Sequence, residues 1–360
     1  MDISELSKKE LIDMVVGLTQ ENAMLRRSLH LNGEASVNFG DYIRDWLRRR
    51  QSCLQKTTYD GYECVVGNHI APYFRKKGIT LQALKASDLE DYYEEMLRKG
   101  LSSNTIRRHH ANIRKCLSYA QKHELIPSNP ALLVELPPIQ AHTVDYYGKE
   151  DLLTLLQCAR DSLIYPVILL SALGLRRSEA LGVRWSDIDF SESSLTVQRK
   201  VVPLKGKSAN VIDVLKSKSS NRVISIPNFV LSELRAIRER HMRDARQYEY
   251  PEGLRDFVCV NGEGRLLNPC YVTHAMLDIV KENNLKKITI KGLRHTCATL
   301  ISAQGFNLKY VQEWLGHSTI TVTANTYTHI DMQEKTIVAH SLQDKVFGGE
   351  QEKLLKSAAR

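Results

Sequence analysis

Along the first thirty residues, apolar side chains recur every seven positions: Leu11, Leu18 and Leu25 form one seam, and Val15, Asn22 and Leu29 the other, four residues later each time. This spacing predicts a heptad helix over residues 1–35. It either pairs with a second copy as a coiled coil, with Asn22 setting the register and Glu21 facing Arg26, or lies as one amphipathic helix on its own chain. Asn32-Gly33 ends it. From 36 to 134 the pattern turns to helical spacing without strands. Phe39, Tyr42, Ile43, Trp46 and Leu47 form one stripe, and Leu84, Leu89, Tyr92, Tyr93, Met96 and Leu97 another, which Gly100 closes. Ser103 or Asn104 is the expected cap of the next helix, whose core stripe is Ile106, Ile113, Leu117 and Ala120.

The prolines of Ile126-Pro127-Ser128-Asn129-Pro130 and Leu136-Pro137-Pro138 interrupt this region, and a polar linker is expected over 135–149. Beyond it, helices are predicted over 149–159 and 163–172, with another opening at Gly174-Leu175-Arg176. Residues 194–202 and 210–215 alternate as paired strands do, and 222–226 supplies a third. Helices resume at 228–247 and from 268 onward. The expected fold is mainly α with a small antiparallel β-sheet, in two domains, 36–134 and 150–345, with a loose tail over 346–360.

Composition narrows the choice of partner. At 360 residues the chain exceeds what one core usually holds, and a formal charge of +9 leans toward a polyanion. The charge is uneven: residues 36–134 carry 16 Lys and Arg against 10 Asp and Glu. In the helix that Ser103 or Asn104 caps, Arg107, Arg108, Arg114, Lys115 and Lys122 stand without a single acid. Such a face is either solvated surface or a seat for a phosphate backbone, and the regional surplus favours the phosphate backbone. Its contribution would be affinity and positioning, not sequence readout. Seven scattered cysteines without a C-x-x-C argue against a disulfide framework or a zinc site and suit a reducing compartment. No signal peptide or membrane-spanning run is apparent, so a cytoplasmic, nucleoid-associated location is expected.

The chemistry-bearing residues concentrate between 290 and 330, where Lys291, Arg294, His317 and Tyr327 stand among glycines with no paired carboxylates. Two fixed cations, an imidazole and a phenol suit a phosphate better than a carbonyl or a glycoside. Arg176 poses a related question. An arginine at a helix start meets an unfavourable dipole, so it either serves an anion or pairs with Glu179 three residues on.

Three ordered motifs carry a resemblance. Gly-Leu-Arg-x-Ser-Glu at 174–179, Leu-Arg-His-Thr-x-Ala-Thr-Leu at 293–300 and Leu-Gly-His-Ser-x-Ile-x-x-Thr-x-x-Thr-Tyr at 315–327 look like the tyrosine recombinase, or phage integrase, family. The resemblance implies a helical core-binding domain and a catalytic domain closing around double-stranded DNA as a C-shaped clamp. It also implies a homo-tetramer holding two duplexes through a Holliday junction, and a site-specific reaction that integrates and excises a mobile element. Tyr327 would be the nucleophile forming a 3′-phosphotyrosyl bond, Arg176 and Arg294 would hold the phosphate, and His317 would donate to one of its oxygens. Because the covalent intermediate keeps the phosphodiester energy, no ATP, metal or other cofactor is expected. Lys216 matches the family's general acid, with Lys218 as the alternative two residues on. Lys291 stands where the family most often has histidine, which leaves the general base unassigned, and His295 is expected to point elsewhere.

The heptad segment occupies the place of an arm-binding domain, so either arm-site binding is absent or protein contact replaces it; separately, the resemblance implies an excisionase or a host DNA-bending protein as a further partner. Two other readings use the same residues: a type IB topoisomerase acting on one duplex, and a DNA-binding regulator that has lost catalysis. The complete residue set speaks against the second.

Overall fold

The computed structural model describes residues 37–139, 145–203, 209–213, 221–248 and 250–319. The heptad segment, the tail, Lys216, Lys218 and Tyr327 lie outside them. The chain divides into two compact units with the boundary between His142 and Thr143.

The first unit is built from helices, as its apolar spacing predicts. In α1 (Phe39–Arg49) Phe39, Ile43, Trp46 and Leu47 are buried, and the Asn38 side chain caps the start by accepting from the Gly40 N–H at 2.8 Å. Helix α2 (Lys56–Val65) runs through one wide π turn at Val66–Ile70 into α3 (Ala71–Lys77), where Pro72 has no N–H to donate. Gly78, at φ +68°, ends α3. Helix α4 (Ala86–Arg98) and helix α5 (Ser103–Lys122) follow. The cap of α5 is Ser102, one residue before the expected pair, and its hydroxyl accepts from the Thr105 N–H. Any short polar side chain just ahead of a helix fits that role, so local sequence alone does not separate three neighbours.

Two tyrosine–histidine pairs lie among the polar groups of this core. The Tyr92 hydroxyl meets His109 Nδ1 at 2.8 Å and the Tyr93 hydroxyl meets His110 Nδ1 at 3.1 Å. Burial, reinforced by His69 and Arg108, pushes the His109 imidazole down to about 4, so both pairs are neutral near pH 7.

In the second unit, α6 (Lys149–Cys158) and α7 (Tyr165–Ala172) precede the short α8 (Arg177–Ala180). Every residue of α7 from Tyr165 to Ser171 is buried. It packs against α11 (Ile290–Ala303). Long helices α9 (Asn228–Gln247) and α10 (Pro269–Glu282) come between them in sequence, and α12 (Leu308–Leu315) is the last described element. No described helix is long and apolar enough to cross a membrane.

The described strands form two small antiparallel sheets where one was expected. β1 (Ile188–Asp189), β2 (Ser194–Val197) and β5 (Arg222–Ser225) make one sheet, while β3 (Lys200–Pro203) pairs with β4 (Ala209–Ile212). The run over 194–202 breaks at Gln198 and Arg199 because both side chains turn onto the buried Asp187 carboxylate. A Cβ on Gly182 would stand 2.9 Å from the Arg199 carbonyl, so glycine there lets the chain pass closely into β3.

Candidate active site

Three arginines from three distant segments converge on one carboxylate and one helix end. Glu179, in α8, is 3% exposed. Arg176 donates to it from Nη1 at 2.5 Å and from its backbone N–H at 3.0 Å. Arg222, the first residue of β5, reaches it at 3.1 Å, and Arg294, in α11, stands 3.8 Å away. Burial pushes the Glu179 carboxyl up, but Arg222 and Arg176 outweigh it and hold the group below the ordinary range. The ion pair between Arg176 and Glu179 was the plain alternative to anion binding. It is present, yet it is one arm of a larger network in which three cations face one anion.

The same three arginines also hold the end of α12. Arg222 Nε donates to the Trp314 carbonyl at 2.7 Å, Arg294 Nη2 to the Leu315 carbonyl at 2.7 Å, and Arg176 Nη2 to the Gly316 carbonyl at 3.1 Å. A helix C-terminus carries unpaired carbonyls and the negative end of the dipole, so it is a natural seat for guanidinium groups. Gly316, at φ +68°, takes the left-handed turn that ends α12. The His317 N–H then bonds to the Gln312 carbonyl, and the Gln312 side chain donates back to the His317 carbonyl, both at 3.0 Å. The chain on either side of this histidine is therefore fixed before its side chain does anything.

Gly174 completes the frame. It sits at φ +98° and its carbonyl accepts from Arg294 Nη1 at 2.7 Å. A Cβ there would come within 2.8 Å of Leu315 Cδ2 and 3.3 Å of Cys297 Sγ. Both the backbone angle and the space demand glycine.

Burial, then Arg294 and Arg176, then His295 and Arg222, push the His317 imidazole down to about 4. Near pH 7 it is a neutral hydrogen-bond donor among cations. His295, expected to point away from the site, is half-buried and close enough to bear on His317; burial, Lys291 and Arg294 hold it down to about 4. Lys291 is exposed in the first turn of α11 and takes no part in the Glu179 network. Of the expected site residues, the structure thus brings Arg176, Arg294 and His317 together, sets Lys291 beside His295, and does not describe Lys216 or Tyr327. Arg222 is the member that sequence reading passed over, taken only as the start of a strand. Its signal was a lone cation opening the apolar run Arg-Val-Ile-Ser-Ile.

The cationic residues of α5 are a separate feature of the first unit. Arg108, Arg114, Lys115 and Lys122 are exposed. Arg107 is partly buried and donates to the Pro137 carbonyl at 3.0 Å, while Lys115 donates to the Tyr62 hydroxyl at 2.8 Å.

Among the described residues, three converging arginines, a neutral imidazole and anchored backbone make an arrangement suited to phosphate on a mainly helical scaffold. Comparison with known proteins makes the class specific. The phage integrase family profile matches residues 150–334 and the phage integrase SAM-like domain matches residues 38–134. The chain belongs to the phage integrase family of tyrosine recombinases. Its relatives include a tyrosine recombinase XerC-like protein of Caldanaerobacter subterraneus, 26% identical over 91% of this chain and 90% of that one. The ICEBs1 integrase of Bacillus subtilis is 22% identical over 86% of this chain and 83% of its own. Among solved structures, the Tn1549 transposon integrase in complex with a circular intermediate DNA shares the fold, with a TM-score of 0.71 at 20% identity, covering 85% of this chain and 100% of that one. A lambda integrase dimer bound to a core site aligns with a TM-score of 0.61 at 16% identity, over 83% of this chain and 79% of that one.

Proposed function

We propose that this chain is a site-specific recombinase that integrates and excises a mobile element by cutting and rejoining double-stranded DNA, four copies acting on two duplexes. The observation that carries the reading is the arrangement of Arg176, Arg222 and Arg294 around the single carboxylate of Glu179. The planar forks of Arg176 and Arg294 suit the two non-bridging oxygens of a phosphodiester. Family membership and the likeness to integrases solved on DNA support the same substrate.

In the proposed reaction the Tyr327 hydroxyl oxygen attacks phosphorus and gives up its proton to a general base that this reading leaves unassigned, the phosphotyrosyl bond forms, and the bond to the 5′ oxygen breaks. Lys216 or Lys218 hands its proton to that leaving oxygen. The transition state gathers negative charge on the non-bridging oxygens, where Arg176, Arg294 and the neutral His317 N–H stabilise it without reorganising. Lys291, at the exposed start of α11, adds a point charge toward the phosphate. Attack by the 5′ hydroxyl of another strand reverses the chemistry, so the free energy of the broken bond is conserved. The exposed cations Arg108, Arg114, Lys115 and Lys122 of α5, with the more sheltered Arg107, hold the backbone of the duplex. The domains assigned to these tasks are 36–134 and 150–345, joined by the 135–149 linker.

The test is a nicked half-site duplex incubated with the protein and resolved on a denaturing gel. Wild type is expected to form a covalent protein–DNA adduct and Tyr327→Phe none. An adduct of undiminished yield in the variant would show that another residue is the nucleophile.

A further inference from the structure

We propose that Arg222 is a third arginine of the site, a positioning residue that docks the end of α12 so that His317 stands correctly beside the phosphate arginines. The proposal rests on the recombinase reading and goes beyond the residue set that reading needs.

The side chain of Arg222 is 6% exposed, less than the 39% of Arg176 and comparable to the 8% of Arg294. It does not lie on a surface where a cation is inexpensive. It spans two groups at once, the Trp314 carbonyl at 2.7 Å through Nε and Glu179 Oε2 at 3.1 Å through Nη2. The guanidinium spreads its donors over a rigid plane, so Nε and Nη2 meet the main-chain oxygen and the carboxylate in fixed directions; a lysine offers its donors from one point on a flexible stem. Trp314 is fixed from its other side, its indole N–H donating to the Leu173 carbonyl at 2.8 Å, next to Gly174. Arg222 therefore ties β5 to a helix end already joined to the α7–α8 turn. His317 lies three residues beyond Trp314, through a turn whose hydrogen bonds fix its backbone. A displacement at the carbonyl is carried to the imidazole. Arg222 also places a positive charge near that imidazole, one of the causes holding His317 neutral.

These two roles, one mechanical and one electrostatic, separate by substitution. Single-turnover cleavage of the nicked half-site would be measured from pH 4 to 8 for wild type, Arg222→Gln and Arg222→Lys, alongside DNA affinity and amide hydrogen exchange of the purified proteins. Arg222→Gln is expected to cleave about 10- to 100-fold more slowly, on the scale expected for misplacement of a reacting group. Its DNA affinity is expected to stay within about twofold, since the duplex is held by many phosphate contacts elsewhere. The acid limb of its rate profile should move to higher pH, because a cation has left the neighbourhood of His317. Arg222→Lys should restore the position of that limb but not the rate, the charge being back and the fork absent.

Exchange gives a readout that does not need activity. The Gly316 and His317 amides should exchange faster in Arg222→Gln while the amides of α7 keep their wild-type rates. Wild-type rate and pH profile in Arg222→Gln would overturn the proposal, as would uniformly faster exchange across the whole unit, which would make the residue a general stabiliser. Failure of wild type to form any adduct would refute the recombinase reading instead, and the exchange result would still decide where Arg222 acts.

Discussion

The two units of this chain treat charge in opposite ways. Among the described residues of the first, no Asp, Glu, Lys or Arg is buried, and its polar interior consists of neutral groups such as the Tyr92–His109 and Tyr93–His110 pairs. Its cations sit on the surface, four of them on the outside of α5, open to water. The second unit buries Glu179, Asp187, Glu233 and Arg294, and arginines meet each of the three carboxylates. Exposed charge attracts a polyanion over a Debye length and is screened by salt. Buried charge acts over a few ångströms, in a medium where each interaction is stronger and each missing partner costs more. One arrangement suits holding a duplex, the other suits stabilising a transition state.

Substitutions sharpen or break this contrast. The largest effect is expected for Arg294→Lys, which gives up the fork that holds both the Gly174 and Leu315 carbonyls. Single-turnover cleavage should fall by about 10²- to 10³-fold with little change in salt dependence of binding. A variant that cleaves normally would show that the buried cations are structural only. Next comes Glu179→Gln, which leaves three arginines without their carboxylate. A drop of about 3–5 kcal/mol in the urea transition of the second unit is expected, as for removal of one partner of a buried ion pair.

Replacing Arg108, Arg114 and Lys122 together by Gln should leave cleavage of bound DNA intact. The slope of log affinity against log salt should become shallower by about 0.9 for each phosphate no longer neutralised, and an unchanged slope would return α5 to the status of solvated surface. The smallest effect belongs to the neutral pairs. Tyr92→Phe should cost about 1 kcal/mol. The His109 imidazole lies near 4 in the fold against an ordinary value of 6.5, so the unfolded chain binds the proton first. Stability from this pair is therefore complete above about pH 6.5 and lost as pH falls toward 4, which urea midpoints taken across that range would show.

Much of the fold could be read in the chain because helical stripes are local. Ile106, Ile113, Leu117 and Ala120 are all fully buried, as their spacing implies. The division into two sheets was hidden because it depends on Asp187 drawing in Gln198 and Arg199 from eleven and twelve residues away. The site was legible where motifs are contiguous: Arg176, Arg294 and His317 each stand in a stretch that announces itself. Arg222 does not, since its meaning comes from Glu179, 43 residues earlier, and Trp314, 92 residues later. The influence of His295 on His317 is hidden for a related reason. Helical geometry says which way a side chain leaves its own helix, but the approach of His317 from another segment is a tertiary fact.

The carbonyls at the end of α12 have an unusual genetic property. Trp314, Leu315 and Gly316 offer the arginines main-chain oxygens, and every residue type carries the same oxygen. A side-chain scan along α12 would therefore report its exposed positions Lys309, Tyr310 and Glu313 as dispensable and never touch the hydrogen bonds that matter. Those bonds can be probed only from the arginine side or by changing the backbone itself, for instance with an ester in place of an amide. The surface of this helix is accordingly free to drift over generations, while its last turn remains anchored by atoms that no point mutation can remove.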